Sequence, residues 1–204
     1  MDKYIYIIIG VTGVITYLAW QKEELFNKFL LSPYAMIRNK EYFRLLTHGF
    51  LHANWTHLLV NMLVFWSFGR VLIQYFNLVW PSGSLIFVIF YLSSIVVSSL
   101  YSVLKHKDDY YYSAVGASGG TSAVLFASIF FDPWNMIYFF GVIPIPGILF
   151  GAIYLIYSYR MAKRGTDNIG HDAHFWGAVF GLIFPIVLKP QLISLFVERL
   201  ISMQ

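Results

Sequence analysis

Cysteine is absent from the chain, and charged residues are scarce. Without cysteine, disulfides, a thiolate nucleophile and cysteine metal sites are all excluded. Charged residues make up 12% of the 204 positions and hydrophobic residues 58%, whereas a soluble domain carries about 25% charged residues. The polar surface is therefore too small for water to be the sole solvent, and we expect one compact bundle in contact with lipid.

The charge balance is also uninformative about most partners. The formal net charge of +4 is spread along the chain without a basic block, so we expect no nucleic-acid binding and only attraction to anionic lipid headgroups. Nothing in the sequence calls for a metal or a cofactor, and we expect neither. The oligomeric state cannot be predicted from these features.

Long apolar segments dominate the sequence. A membrane-spanning helix needs about 20 apolar residues, and backbone groups in lipid must be satisfied within the segment. We therefore predict an all-α polytopic membrane protein with six transmembrane helices in a single domain, residues 1–204. The candidate spans are Tyr4–Trp20, His57–Phe76, Ser84–Leu104, Ser118–Phe131, Met136–Tyr159 and Ala173–Leu188.

Gln21 and Lys22 follow the first span in place of the small residues of a signal-peptide cleavage site, so we expect that span to be retained.

The region between the first two spans is too apolar to be a plain linker. Residues 21–56 are long, aromatic and charged, and we expect them to fold at the membrane interface.

Polar residues interrupt the apolar segments at three places, each at the start of an even-numbered span. His57 and Asn61 are four residues apart, on one helix face. Ser118 opens the fourth span, where free backbone N–H groups favour a developing oxyanion. His174, near the start of the sixth span, is a residue type suited to a general base. Because even-numbered spans run parallel, these residues are expected at one membrane face.

Two features of the fourth and sixth spans predict a buried, close contact between them. Fourteen residues give the fourth span about 21 Å, less than the roughly 30 Å hydrocarbon core, so Ser118 is expected below the membrane surface. Small residues at every fourth position let helix backbones approach closely. They are Gly119, Ala123 and Ala127 in the fourth span and Ala173, Gly177 and Gly181 in the sixth.

Together and in this order, the motifs resemble the rhomboid family over nearly the whole chain. They begin with Arg44-Leu-Leu-Thr-His-Gly-Phe-Leu-His52 ahead of His57 and Asn61. Gly116-Ala-Ser-Gly119 follows, and Ala173-His-x-x-Gly-x-x-x-Gly181 completes the set. Each motif alone is weakly diagnostic, but their order and placement on the predicted helices are specific.

The resemblance implies an intramembrane serine endopeptidase that cleaves membrane-anchored proteins with a Ser–His dyad. Ser118 would be the nucleophile and His174 the base. The Ser118 N–H and the side chains of His57 and Asn61 would form the oxyanion hole. The protein's partners would be transmembrane proteins, which are the substrates, and the membrane lipids that surround the bundle.

The sequence departs from the family pattern at three positions. Ser122 stands where the family often has an aromatic residue, four positions after the serine, on which the histidine ring stacks. Phe43 replaces a frequent tryptophan, and Ile73 a frequent glutamate four residues after Gly69. The first departure affects the packing of the His174 ring. The other two affect the surrounding fold more than the catalytic chemistry.

Other interpretations of the same residues remain open. Ser122 is compatible with a catalytically inactive rhomboid-like protein that binds membrane helices. A small transporter would use the polar residues as a pathway, but they cluster at one membrane face. His48 and His52 have a spacing that could bind a metal, although hydrogen bonding within the loop is favoured because no acidic partner is near.

Orientation and location are predicted from the resemblance. The family topology places the active site on the extracytoplasmic side, and we expect a bacterial cell membrane. With a cytoplasmic N-terminus, however, four Lys and Arg residues lie inside and the other ten outside, contrary to the positive-inside rule.

Overall fold

A computed structural model describes residues 3–139, 141–165, 167 and 169–202, and most of these residues are helical. A 3₁₀ turn, His48–Phe50, follows the fourth helix, and a hairpin of β1 Met136–Phe139 and β2 Ile143–Pro146 follows the seventh. The helices are α1 Lys3–Gln21, α2 Glu23–Phe29, α3 Pro33–Asn39, α4 Arg44–Thr47, α5 Trp55–Val79, α6 Gly83–Lys105, α7 Ser118–Phe131, α8 Gly147–Arg164, α9 His171–Leu188 and α10 Leu192–Ser202.

Helix α7 lies at the centre of the bundle. Every residue of α7 after Ser118 is buried, from Gly119 to Phe131, and α5, α6 and α9 pack around it. Of the described helices, α1, α5, α6 and α9 are long and apolar enough to cross a membrane. The protein is thus a helical membrane bundle, as predicted, with its shortest apolar helix enclosed by the longer ones.

The close contact predicted between the fourth and sixth spans is confirmed. A Cβ atom on Gly177 of α9 would lie 2.1 Å from the Gly119 carbonyl oxygen of α7. One turn later, a Cβ on Gly181 would lie 2.3 Å from the Ala123 carbonyl oxygen. Both distances are shorter than non-bonded atoms allow, so only glycine at these positions permits this separation of the backbones.

A serine-rich face of α6 packs on the other side of α7. The hydroxyls of Ser94, Ser98 and Ser99 each donate to the carbonyl oxygen three residues earlier in α6, at 2.7, 3.1 and 2.8 Å. All three serines are buried. A Cβ on Gly119 would lie 2.1 Å from Ser98 Oγ, so the serine face also brings α6 and α7 close together.

The fifth predicted span, Met136–Tyr159, is wrong in its first half. Residues Met136 to Phe139 pair antiparallel with Ile143 to Pro146, and the helix begins only at Gly147. Two physical reasons account for this. Pro144 and Pro146 have no N–H to donate within a helix, and Gly141 adopts a φ of +74°, which suits a turn. Apolar composition alone had indicated one continuous helix.

The loop between the first two spans is folded, as predicted. It contains α2, α3, α4 and the 3₁₀ turn, and the buried Arg44 holds its parts together. The Arg44 guanidinium donates to the carbonyl oxygens of Asn27 and Leu30, both at 2.8 Å, and to Glu41 at 2.6 Å.

Helix α10 was not predicted from the sequence. It packs at the end of the bundle opposite Ser118, where the Arg199 guanidinium donates to the Phe131 carbonyl oxygen at the C-terminus of α7. Trp134 donates its indole N–H to the Leu200 carbonyl oxygen at 3.1 Å. These contacts close the far end of α7 with protein groups.

Candidate active site

Ser118 begins α7 after a segment that is fixed by two loop histidines. The Gly116 N–H donates to the His48 carbonyl oxygen at 3.0 Å, and the Ala117 N–H donates to His52 Nε2 at 3.5 Å. Gly116 has a φ of +127°, a conformation that glycine adopts readily. The turn that presents Ser118 is therefore held by the folded loop between α1 and α5.

His52 is buried as a neutral ring. Its Nε2 accepts from Ala117, so its Nδ1 carries the proton and donates to Thr16 Oγ1 at 3.2 Å; Thr16 in turn donates to the Phe50 carbonyl oxygen at 2.9 Å. Burial, with a smaller effect of the nearby His57, lowers the pKa of His52 to about 3. Protonation would break the bond to Ala117.

His48 is held in the same loop. Its Nδ1 lies 2.8 Å from the Arg44 carbonyl oxygen, and burial lowers its pKa to about 4. The hydrogen-bonding role predicted for His48 and His52 is thus confirmed. Among the described residues, no group of three or more His, Cys, Asp or Glu side chains could hold a metal ion.

His57 lies against the turn that precedes Ser118. Asn54 caps α5 by accepting from the His57 N–H at 2.9 Å, and the Ala53 N–H donates to His57 Nδ1 at 3.5 Å. In the neutral ring the proton therefore resides on Nε2. That nitrogen lies 2.7 Å from where a Cβ on Gly116 would be, so the ring N–H is next to the backbone that leads into Ser118.

Asn61 connects α5 to the first turn of α7. Its side-chain amide donates one hydrogen to the His57 carbonyl oxygen at 2.9 Å, and its Oδ1 accepts from Thr121 at 3.1 Å. The Thr121 hydroxyl also approaches the Ser118 carbonyl oxygen at 3.1 Å. Because an amide NH₂ has two hydrogens, Asn61 retains one donor at the level of Ser118.

His174 lies in the first turn of α9, on the same end of the bundle. Gly177, one turn later, touches Gly119, which is the neighbour of Ser118. The Ala173 carbonyl oxygen is 3.4 Å from the Cβ position of Gly119. Both Ser118 and His174 are half-buried. In the part of the chain that the structure describes, neither Ser118 Oγ nor the His174 ring makes a side-chain hydrogen bond.

Tyr154 of α8 is a neighbour of His174 that the sequence analysis missed. Its ring centroid lies 6.2 Å from that of His174, at an interplanar angle of 32°. Its hydroxyl is 2.6 Å from Ser122 Oγ, four residues after Ser118 in α7. Ser122 shows in the sequence that α7 has no aromatic ring at the position where the family often packs one on the histidine. The sequence does not show that α8 supplies such a ring.

Two carboxylates lie near the start of α9, and neither pairs with His174. Asp172 forms an ion pair with Lys105 of α6 at 2.8 Å. Asp167 lies 3.1 Å from Nε2 of the buried His171, and this hydrogen bond lowers the pKa of the Asp167 carboxyl. Asp172 is thus paired with Lys105 and is not positioned as the acid of a catalytic triad.

Comparison with known proteins identifies the fold and family of this arrangement. The rhomboid domain family matches residues 39–191, a range that begins at the last residue of α3 and ends between α9 and α10. This chain belongs to the rhomboid family. Of the residues that form the candidate site as described above, the match includes all except Thr16.

Two curated rhomboid relatives are similar to the chain. RHOMBOID-like protein 12, mitochondrial, of Arabidopsis thaliana is 23% identical over 198 residues, which cover 89% of this chain and 57% of the relative. Rhomboid-related protein 1 of Caenorhabditis elegans is 29% identical over 169 residues, covering 79% of this chain and 44% of the relative. The chain spans about half the length of these relatives, and both are eukaryotic proteins.

Proposed function

We propose that this rhomboid is an active intramembrane serine endopeptidase that cleaves membrane-anchored proteins, with Ser118 as nucleophile and His174 as base. One observation carries the proposal. The backbone contact between Gly119 and Gly177 holds the first turns of α7 and α9 side by side. Ser118 and His174 both lie in these first turns, and this supports the proposal because nucleophilic catalysis needs the hydroxyl and the imidazole close together.

The proposed reaction has two steps. Ser118 Oγ attacks the scissile carbonyl carbon while its proton passes to His174, which then gives it to the departing amine as the C–N bond breaks. Water next attacks the acyl-enzyme ester and gives a proton to His174. The ester bond breaks, Ser118 takes that proton back, and the free carboxyl product leaves.

Three donors are proposed for the oxygen that becomes negative. The Ser118 N–H is at the start of α7, where helix N–H groups have no intrahelical partner. The Nε2–H of His57 lies next to Gly116, two residues before Ser118. Asn61 keeps one amide hydrogen, and its Oδ1 accepts from Thr121 in the first turn of α7. Donors fixed in advance at this position stabilise the tetrahedral intermediate more than the substrate carbonyl.

Substrate access is proposed between α5 and α8. Helix α8 is the candidate for a lateral gate because the residues that lead into it break a helix: Pro144 and Pro146 lie in the hairpin, and α8 begins at Gly147. A helical carbonyl is protected by its own hydrogen bond, so the substrate must unwind at the cleaved bond. Small or helix-breaking residues are therefore expected near that bond. Spin-label distances between α5 and α8 that stay constant when substrate binds would contradict the gate.

The chain is an integral membrane protein, and its orientation is a proposal. We place the end of the bundle with Ser118 on the extracytoplasmic side, as the family topology implies. A bacterial cell membrane stays a prediction, because the two relatives described above are a plant mitochondrial protein and a nematode protein.

An inactive rhomboid-like protein is the second candidate. The observation that favours it is that neither Ser118 Oγ nor the His174 ring makes a side-chain hydrogen bond to a described residue. Catalytic hydrogen bonds are often long in enzymes without substrate and tighten when it binds. We therefore favour the active enzyme.

Labelling by a fluorophosphonate distinguishes the two candidates. The purified protein should form a covalent adduct as Ser118 attacks phosphorus and fluoride leaves, and Ser118→Ala should form none. Equal labelling of Ser118→Ala, or no labelling of either protein, would contradict the proposed function.

A further inference from the structure

Helix α8 is joined to the rest of the site by few polar contacts, and one of them lies beside His174. Of the side-chain hydrogen bonds between described residues, the bond of Ser122 Oγ to the Tyr154 hydroxyl, at 2.6 Å, is the one that links α8 to a neighbouring helix. Its buried residues Gly147, Gly151 and Ser158 are small. Larger side chains of α8 pack on α7 without polar contacts, among them Phe150 and Leu155. Tyr154 belongs to the same apolar contact and adds the hydrogen bond, so it is the polar anchor of α8 near the site.

The Tyr154 ring forms one wall of the His174 environment. It packs at a centroid distance of 5.4 Å from Phe126 of α7 and 6.2 Å from His174 of α9. Both distances are within the 4.5–7 Å range of aromatic pairs. A single side chain of α8 thus contacts both helices that carry the proposed dyad.

The second ring beside His174 comes from its own helix. His171 lies 5.8 Å away at an interplanar angle of 81°, one turn earlier in α9. Because His171 moves with α9, it cannot fix His174 relative to Ser118. Tyr154 can, since its hydroxyl is bonded to Ser122, one turn after Ser118 in α7.

We propose that Tyr154 is a positioning residue that makes the orientation of His174 depend on the placement of α8. The inference rests on the proposed function. When α8 is packed against α7, the ring supports His174. When α8 moves away, the Ser122 bond breaks, the ring withdraws and the imidazole gains rotational freedom. Helix movement and nucleophile activation are thereby coupled through one side chain.

The test measures fluorophosphonate acylation of the full chain in detergent, separating the maximal rate kinact from the probe affinity KI. Tyr154→Phe keeps the ring but loses the bond to Ser122, so it should lower kinact by about 3-fold to 5-fold with KI little changed. Tyr154→Ala also removes the ring and should lower kinact by about 10-fold to 100-fold with KI little changed, as misplacement of a catalytic group does. Rates are normalised to active sites titrated with the same probe, so that loss of folded protein does not mimic the effect.

A matched control is available on the same helix. Tyr159 of α8 also packs on α9, but against Phe175, at 5.9 Å. Tyr159→Ala makes the same chemical change without removing a neighbour of His174, and should keep the wild-type kinact. A kinact for Tyr154→Ala equal to that of Tyr159→Ala would overturn the proposal.

The hydrogen bond itself is tested by a double-mutant cycle. Ser122→Ala and Tyr154→Phe delete the same bond from opposite sides, so the double variant should be no slower than the slower single variant. Strictly multiplicative losses would contradict a coupled pair. If Ser118 is labelled but the Tyr154 variants behave as wild type, this inference fails and the proposed function stands. If wild-type protein is not labelled, both fail.

Discussion

The carbonyl oxygen of Gly119 occupies the space that a side chain on Gly177 would need. The separation from an added Cβ would be 2.1 Å, and the obstructing atoms are backbone, so neither helix can relieve the clash by a rotamer change. The distance between α7 and α9, and with it the spacing of Ser118 and His174, is set by the absence of one methyl group.

Gly177→Ala should therefore separate α7 from α9. We expect a loss of roughly 1–3 kcal/mol in unfolding free energy from overpacking and a marked loss of fluorophosphonate labelling. Gly13→Ala in α1 is the control, because nothing lies within 4 Å of its added Cβ. It should be neutral or stabilise by up to about 1 kcal/mol. Wild-type labelling by Gly177→Ala would show that this spacing is unimportant.

Removal of either member of the proposed dyad should abolish proteolysis without unfolding the protein. Ser118→Ala and His174→Ala are expected to show no turnover in a detergent assay and near wild-type melting temperatures. Ser122→Ala should retain at least partial activity, because its hydroxyl bonds to Tyr154 and is not required for attack. An active Ser118→Ala with an inactive Ser122→Ala would mean that the nucleophile is Ser122.

Removing a donor of the proposed oxyanion hole should slow the reaction more than it weakens substrate binding. His57→Ala and Asn61→Ala should each lower kcat by roughly 10²–10³, as for a lost oxyanion-hole donor, with a smaller change in KM. Asn61 also bonds to Thr121, so melting temperatures are measured alongside. Variants with normal kcat and lowered melting temperature would assign both residues a structural role and leave the dyad unaffected.

Acid should destabilise the loop that presents Ser118. The pKa of His52 is about 3 in the folded protein and its ordinary value is 6.5, so below pH 6.5 the unfolded chain binds a proton that the folded chain does not. Its contribution to stability is complete above pH 6.5 and falls with pH, by about 2 kcal/mol at pH 5. His52→Gln should flatten the decline of melting temperature between pH 7.5 and 5. The melting temperature of His52→Gln should still decline somewhat with acid, because His48, with a pKa of about 4, also resists protonation in the folded protein.

Impermeant thiol labelling of intact cells should determine the orientation. Asp109 and Asn135 are exposed at opposite ends of α7, and the chain has no cysteine of its own. With the proposed topology, Asp109→Cys should react and Asn135→Cys should not. The reverse pattern would place the Ser118 end in the cytoplasm, in accord with the distribution of Lys and Arg.

Features that are encoded in a local residue pattern could be predicted from the sequence, and features without such a pattern could not. The bounds Ser118–Phe131 and the α7–α9 contact were correct because an apolar run and small residues at every fourth position are local patterns. The hairpin was missed because Met136 to Pro146 is as apolar as a span, so composition did not distinguish paired strands from a helix. Tyr154 has no motif, since its proximity to His174 arises only when α8 packs.

The serine face of α6 bears on how the bundle is assembled. Because the hydroxyls of Ser94, Ser98 and Ser99 bond to carbonyl oxygens of the same helix, they need no other helix to be satisfied in lipid. The α6 segment has a mean hydropathy of 2.1, the highest of the four spanning helices. It can therefore enter the bilayer as an independent span during biosynthesis. The same face, with its serine hydroxyls already bonded, then offers a docking surface when α7 arrives.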